Sequence, residues 1–327
     1  MDITPLDADE IGMPVAVITG GWSRERDRAL LSGKTVADAL TDMGVKAHVI
    51  DLVDSGWGLV NGLGDAAKAF LAIAGRGAED GRLQGLLETL SVPYTGSGVL
   101  ASAIGMNKLH AKTLASAAGV CVPRGIRIDP TAAADDEAVR VSHLLGGLPV
   151  MIKPVSEGGS IGVQVATTVE RLSLALEQLD VADGEMMAEV FHQGRSVSVG
   201  VLEDARGAVH VLPVLEARTP NGVYSYAAKR GTAACDYHWP ARVSPITLAD
   251  LEHQAVTAHR SLGCHSYSRH DFVVGDDGSA WWLEVNTLPG LSKGGNLARM
   301  ATVGGISYEL LLTHILRGAD IDRRTRP

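Results

Sequence analysis

Residues 268–290, SRHDFVVGDDGSAWWLEVNTLPG, gather carboxylates, an amide and an arginine at strand spacing. GDDG at 275–278 is a turn signal between two runs rich in β-formers, so the segment reads as a hairpin. Pairing Val274 with Ser279 sets Asp271 opposite Trp282 and Arg269 opposite Glu284. Alternation then sends Arg269, Asp271, Glu284 and Asn286 to one face and Phe272, Val274, Leu283 and Val285 to the other. Two carboxylates and an amide oxygen on a rigid sheet suit Mg2+, which takes hard oxygen ligands and keeps phosphate oxygens of a substrate in its shell. Read alone, the same segment also fits a surface hairpin with solvated acids and one salt bridge.

A second cluster lies at 153–162, KPVSEGGSIG. Lys153 closes an apolar run, and Gly158, Gly159 and Ser160 form a turn before the next one. Backbone N–H groups can converge there on a phosphate while the lysine supplies a point charge. An ordinary flexible hairpin is the bland alternative. Two other glycine motifs point to different chemistry and fail. GKT at 33–35 resembles the end of a P-loop, but Arg28 stands where the first glycine is required and the pattern there is helical. GSGVLA at 96–101 fits a relaxed dinucleotide fingerprint, yet it lies deep in the chain and no acid follows at the expected distance.

These groups need a scaffold, and the chain supplies one. A length of 327 residues exceeds what one core usually organises, so two or three subdomains around a cleft are expected. With 46% hydrophobic and 20% charged residues, the composition is that of a globular α/β enzyme. PVAVITGG (14–21) reads as a strand and glycine turn, and Ala29, Val36, Leu40 and Met43 follow at near-helical spacing up to Gly44. VKAHVI (45–50) is a second strand and GRLQGLLETL (81–90) a helix, an alternation that implies a parallel sheet. Further on come a helix in NKLHAKTLASAAG (107–119), strands in VMIK and IGVQVA around the lysine loop, and strands in SVSVGVL and HVLPVLE. A long irregular stretch (219–240), a helix through LEHQAVTAHRSLG (251–263), the hairpin and a C-terminal helix complete the series.

The net charge of −9 argues against a nucleic-acid partner, since no basic stripe exists to release phosphate counterions. Cys121, Cys235 and Cys264 are odd in number and lack metal spacing, so reduced thiols in a cytoplasmic protein are expected. The apolar run near the N-terminus is too short for a signal peptide or a membrane span, and no membrane partner is expected.

Taken together, GGWSRE (20–25), RGAEDGRLQGLLE (76–88), PYTGSGVLASAIGMNKLHAK (93–112), IKPVSEGGSIGV (152–163), YSYAAKR (224–230), RHDFV (269–273) and LEVNTLPGLS (283–292) resemble the D-alanine:D-alanine ligase family of the ATP-grasp superfamily. The resemblance covers nearly the whole chain. It implies an α/β fold of three subdomains: an N-terminal parallel-sheet domain (1–105), a central domain (106–189) and a C-terminal domain (190–327), with ATP between the last two. It also implies that Lys108 and Lys153 contact phosphates, that Glu189 lies near adenine or ribose, and that Asp271, Glu284 and Asn286 bind two Mg2+ ions, with Mn2+ as a substitute. Arg269 and the backbone at Gly290 would steady developing charge, and Glu25 would hold the amino group of the first amino acid. A mobile loop at 219–240, carrying Lys229 and Arg230, would close over an acyl phosphate. Small amino-acid substrates and a homodimer follow from the same resemblance.

The chain departs from the family where the amino acids bind. Gly159 stands for the first serine of EGSSVG, Arg230 for the tyrosine after the mobile-loop lysine, Ala74 for the histidine of HGxxGEDG, and Asn296 for a serine that receives the second substrate's carboxylate. Ser196 replaces an acid that often contacts ribose. Coordinated change in one pocket, with the nucleotide and metal groups kept, reads as altered specificity for the second substrate. Ordinary D-alanyl-D-alanine synthesis is one alternative, and a nucleotide-binding pseudoenzyme is another.

Overall fold

A computed structural model describes residues 3–53, 56–179, 184–219, 224 and 233–321. The chain begins with a short helix, α1 (Ala8–Gly12), started by a reciprocal cap. The Asp7 carboxylate accepts from the Glu10 N–H, and the Glu10 carboxylate accepts from the Asp7 N–H. Strand β1 (Val15–Gly20), helix α2 (Arg26–Asp42), β2 (Ala47–Leu52), α3 (Gly56–Leu63) and β3 (Lys68–Leu71) then build a parallel sheet of order β2-β1-β3. All six residues of β1 are buried, as a central parallel strand covered on both faces requires. Helix α2 turns Ala29, Val36 and Leu40 to the sheet and stops before Gly44, whose φ of +88° ends it. GKT therefore lies within a helix.

Three helices, α4 (Arg82–Thr89), α5 (Val99–Met106) and α6 (Lys108–Ala117), lead to a second sheet. GSGVLA thus opens a helix, α5, whose N-cap is Gly98. The second sheet comprises β4 (Gly125–Arg127), β5 (Val150–Pro154), β6 (Gln164–Ala166) and β7 (Met186–Val190), antiparallel in the order β4-β7-β5-β6. Helices α7 (Ala134–Leu145) and α8 (Val169–Glu177) bury Val141, Leu145, Leu172 and Leu176 in a core confined to this segment.

The third sheet is antiparallel and runs β11-β10-β8-β12-β13, with β9 also on β8. Its strands are β8 (Arg195–Glu203), β9 (Val209–Val211), β10 (Leu215–Arg218), β11 (Asp236–His238), β12 (Tyr267–Val274) and β13 (Ala280–Asn286). Helix α9 (Pro245–Ser261) packs with α6 over a core that includes Val199, Phe272 and Trp282. Helices α10 (Asn296–Val303) and α11 (Tyr308–Arg317) share a core with the first sheet, in which Leu297, Leu312, Phe70 and Leu71 are buried together. Among the described residues no helix is long and apolar enough to cross a membrane. The expected irregular stretch contains β11, while Lys229 and Arg230 lie outside the described residues.

The β12–β13 hairpin corrects the expected register. Val274 pairs with Ala280 rather than Ser279, a shift of one residue made at the turn, and a bulge between Asp271 and Phe272 adds a second, so that Asp271 pairs with Glu284 and Arg269 with Asn286. There β12 advances one residue while β13 advances two. Trp282 consequently pairs with Phe272 and is fully buried, whereas Leu283 is only partly buried and lines the cleft, the reverse of what simple alternation gives. The four polar groups still share one face, with Asp271 now opposite Glu284.

Candidate active site

Three clusters converge on the cleft between the second and third sheets. The first is cationic. Lys153 ends β5 and Glu189 lies on the adjacent β7, where Lys153 Nζ stands 2.5 Å from Glu189 Oε1. Lys112 of α6 approaches Glu189 Oε2 at 3.1 Å. Lys108, one helical turn earlier, donates to the Glu157 carbonyl and stands 3.5 Å from Glu284 Oε2. Burial depresses the Lys108 ammonium and brings Lys112 down to about 8. Burial opposes the charge of Glu189, but Lys112 and Lys153 outweigh it and hold the carboxyl below its usual range. Three lysines thus gather at one buried place beside Glu189 and Glu284, and ammonium groups so placed suit the phosphates of a polyanion. Glu189 here joins the lysines.

Met151, Val163, Phe191 and Leu283 give the same cleft an apolar side, and His192 stacks on Trp281 with ring centroids 3.8 Å apart. The lysine loop folds over it. Gly159 has φ of +66°, in the left-handed region where a side chain is strained, and Ser160 follows at +62°. The Ser160 hydroxyl donates to the Tyr224 carbonyl at 3.1 Å. At Gly158 the loop passes so close to Glu25 that a Cβ would collide with its carboxylate.

The second cluster is the hairpin. Arg269 grips Asp271 with two bonds, Nε to Oδ1 at 2.9 Å and Nη2 to Oδ2 at 2.8 Å. Ser198, paired with Asp271 across β8, donates to Oδ1 at 2.6 Å, and Asn286 Nδ2 donates to Oδ2 at 3.2 Å. Burial opposes the charge of Arg269, but Asp271 and then Glu284 more than compensate and keep it a permanent cation. Two carboxylates and an amide on one face form a hard-oxygen set that fits Mg2+ shared with phosphate oxygens. With Asn286 Nδ2 turned to Asp271, its Oδ1 is the amide atom left to face a cation.

The third cluster lines a cavity of about 560 Å3 on the other side of Arg269 and Glu284. Glu25, at the start of α2, accepts from Arg28 at 3.2 Å. Glu79 accepts from the backbone of Gly75 at 2.6 Å and Leu288 at 3.3 Å. Burial, and then the nearby Glu25, push the Glu79 carboxyl up to about 7. Gly159, Gly290 and Asn296 complete the wall, with Asn296 Nδ2 3.5 Å from the Tyr224 hydroxyl. Glu284 and Tyr224 line both spaces, so the cationic cleft and this cavity meet at the hairpin.

Lys112, Ser198 and Arg28 escaped the sequence reading. Lys112 carried a signal, its i,i+4 spacing from Lys108 on one helix face. Ser198 carried none, because its place beside Asp271 depends on the pairing of two distant strands.

A lysine-lined cleft between two antiparallel sheets, joined through a carboxylate hairpin to a second cavity, is the site of an ATP-grasp ligase. Residues 114–317 match the family model for the D-ala D-ala ligase C-terminus. A D-alanine–D-alanine ligase of Anaeromyxobacter dehalogenans is 39% identical over 94% of this chain and 97% of its own length. The crystal structure of D-alanine–D-alanine ligase from Bacillus anthracis complexed with ATP superposes with a TM-score of 0.78 at 26% identity, covering 94% of this chain and 97% of that one. The VanG D-Ala:D-Ser ligase of Enterococcus faecalis gives 0.78 at 25% identity, over 93% and 98%. The chain belongs to the D-alanine–D-alanine ligase family.

Proposed function

We propose that this enzyme uses ATP and Mg2+ to join the carboxylate of a small D-amino acid, such as D-alanine, to the amine of a second amino acid. The observation that carries the reading is the shared boundary: Glu284 and Tyr224 line the cationic cleft and the cavity at once, so a γ-phosphate and an amino-acid carboxylate can meet there. A carboxylate oxygen attacks the γ-phosphorus, the bond to the bridging oxygen breaks and ADP leaves. The amine then attacks the acyl carbon, phosphate departs, and the nitrogen loses a proton. Such chemistry needs positioning and charge neutralisation more than a protein nucleophile.

Each cluster has a part. Lys108 and Lys153 hold the phosphate chain beneath Gly158, Gly159 and Ser160, while Glu189, restrained by Lys112, keeps Lys153 aligned. Asp271, Glu284 and Asn286 would hold two Mg2+ ions, with Mn2+ as a substitute, and bound metal would supply neutralisation of phosphate charge. Arg269 and the Gly290 backbone steady the charge that develops on the acyl centre, a role that Lys229 and Arg230, outside the described residues, would share. Glu25 takes the ammonium of the first amino acid. The reading divides the chain into subdomains 1–105, 106–189 and 190–327 and makes the assembly a homodimer, which molar mass measured by light scattering checks.

The second substrate is where this chain differs. Gly159 lies in a backbone region that disfavours serine, and Asn296 presents an amide to the cavity. An amino acid other than D-alanine as acceptor is the reading these positions support, and a family relative is named for D-Ala:D-Ser. Incubation with ATP, Mg2+ and D-alanine, alone and with a panel of amino acids and amines, should release most ADP with a mixed pair, identified by product mass. Rapid dipeptide synthesis from D-alanine alone overturns the altered acceptor. Failure of every pair to stimulate ADP release overturns the ligase and favours a nucleotide-binding pseudoenzyme.

A further inference from the structure

The bulge that faces Glu284 toward Asp271 is held at one residue, Trp282. Its backbone N–H donates to the Cys121 carbonyl at 2.8 Å, and its own carbonyl accepts from Lys112 Nζ at 3.3 Å. Its indole N–H donates to His270 Nδ1 at 3.1 Å across the hairpin. Trp282 is wholly buried, and so is His270.

That last bond begins a directed chain. An indole N–H can only donate, so His270 Nδ1 is an acceptor and the ring proton of a neutral His270 sits on Nε2. Nε2 then donates to Ser268 Oγ at 2.9 Å, and the Ser268 hydroxyl donates to His259 Nδ1 at 2.7 Å. His259 Nε2 donates in turn to Glu203 Oε2 at 3.2 Å. Ser268 and His270 alternate with Arg269 and Asp271 along β12, so the hidden face of the strand is tied to α9 and β8 while the other face carries the polar groups of the cleft.

We propose that Trp282 is a positioning residue for the carboxylates Asp271 and Glu284, clamping the bulge from the core through His270 and from the nucleotide side through Lys112. Without the clamp the extra residue of β13 can relax along the strand, and a one-residue slip turns Glu284 away from Asp271. Because Lys112 also restrains Glu189, the clamp links the lysines and the metal carboxylates in one array. The inference rests on the metal reading of the hairpin.

The test measures Mn2+ binding to the full chain by electron paramagnetic resonance, with a β,γ-imido ATP analogue present. Trp282→Phe, which keeps an aromatic ring but loses the N–H, should weaken Mn2+ binding about tenfold. Binding of the analogue without metal should not change. The half-saturating Mg2+ concentration should rise by a similar factor in turnover, with kcat restored at saturation. The double variant Trp282→Phe, His270→Leu leaves neither the indole donor nor its acceptor unpaired; it should regain thermal stability but not Mn2+ affinity. Leu251→Ala, in the same core, should lose stability and keep Mn2+ affinity. The proposal is overturned if either Trp282 variant binds Mn2+ like the wild type, or if Leu251→Ala weakens it equally. Absence of Mn2+ binding by the wild type would defeat the metal reading itself.

Discussion

Glu79 shows how a single buried carboxylate can set a pH limit. Its carboxyl is raised to about 7, first by burial and then by Glu25, so the folded state holds a proton that the unfolded chain has released. Stability is therefore fullest below the ordinary carboxylate range and falls as pH rises toward that raised value. Urea denaturation of the wild type should show a loss of stability between about pH 5 and about pH 8, and Glu79→Gln should flatten that slope. Equal slopes would count against a raised Glu79. Asp271 has a different role, with its charge facing the cleft. Asp271→Asn keeps the size of the side chain and should lower kcat by about a hundredfold or more while nucleotide binding persists, as product release and calorimetry would read. Unimpaired turnover would remove Asp271 from the metal site.

At the scale of elements, α2 is set by contact with β1. A Cβ on Gly33 would collide with the Thr19 side chain, so the glycine of the GKT segment serves close packing of helix on strand. Gly33→Ala should push α2 outward, cost about 1–3 kcal/mol of stability in chemical denaturation, and raise KM for the first amino acid by displacing Glu25 at its N-terminus. A variant with unchanged stability and KM would show that the helix has room. Legibility followed the same boundary between local and distant order. The β1–α2 unit, α6 and the hairpin announced themselves because their turn residues and periodicity are local. The face carrying Asp271, Glu284 and Asn286 was legible too, although the register was not. The bulge depends on Trp282 finding Cys121, Lys112 and His270 in space, and no alternation rule anticipates that. Helices α7 and α8 went unread, although Ala138, Val141 and Leu145, and then Leu172, Ala175 and Leu176, recur at helical spacing.

Across the whole molecule, α11 is tied back to α1 and the residues just before it. Arg317 at the end of α11 meets both Glu10 oxygens at 2.7 Å and donates to the Thr4 and Pro5 carbonyls. The hydrogen bonds from Arg317 are the main reason the Glu10 carboxyl lies at about 2. A depressed carboxyl contributes stability above the unfolded-state range and loses it as pH falls through its own lower value. The pair is partly exposed, so Arg317→Ala should cost about 1 kcal/mol near neutral pH, and less as the solution is acidified toward that value. Thermal melts across that range would read it; a constant deficit would show that packing, not charge, is lost.

The segment between Arg124 and Val190 begins and ends at one point, because the Val190 N–H bonds to the Arg124 carbonyl at 2.9 Å. Its apolar core is made from its own residues, from Ile128 to Ala188. In modular terms it is an insert with a sealed neck, and expressed alone it should melt cooperatively by circular dichroism. It brings Lys153, Glu189 and the loop of Gly158, Gly159 and Ser160, whereas Glu25, Arg269 and Asn296 belong to the host. A graft of this insert from another family member should carry nucleotide affinity with it and leave the choice of amino acids largely behind, so the two halves of the reaction can be exchanged separately.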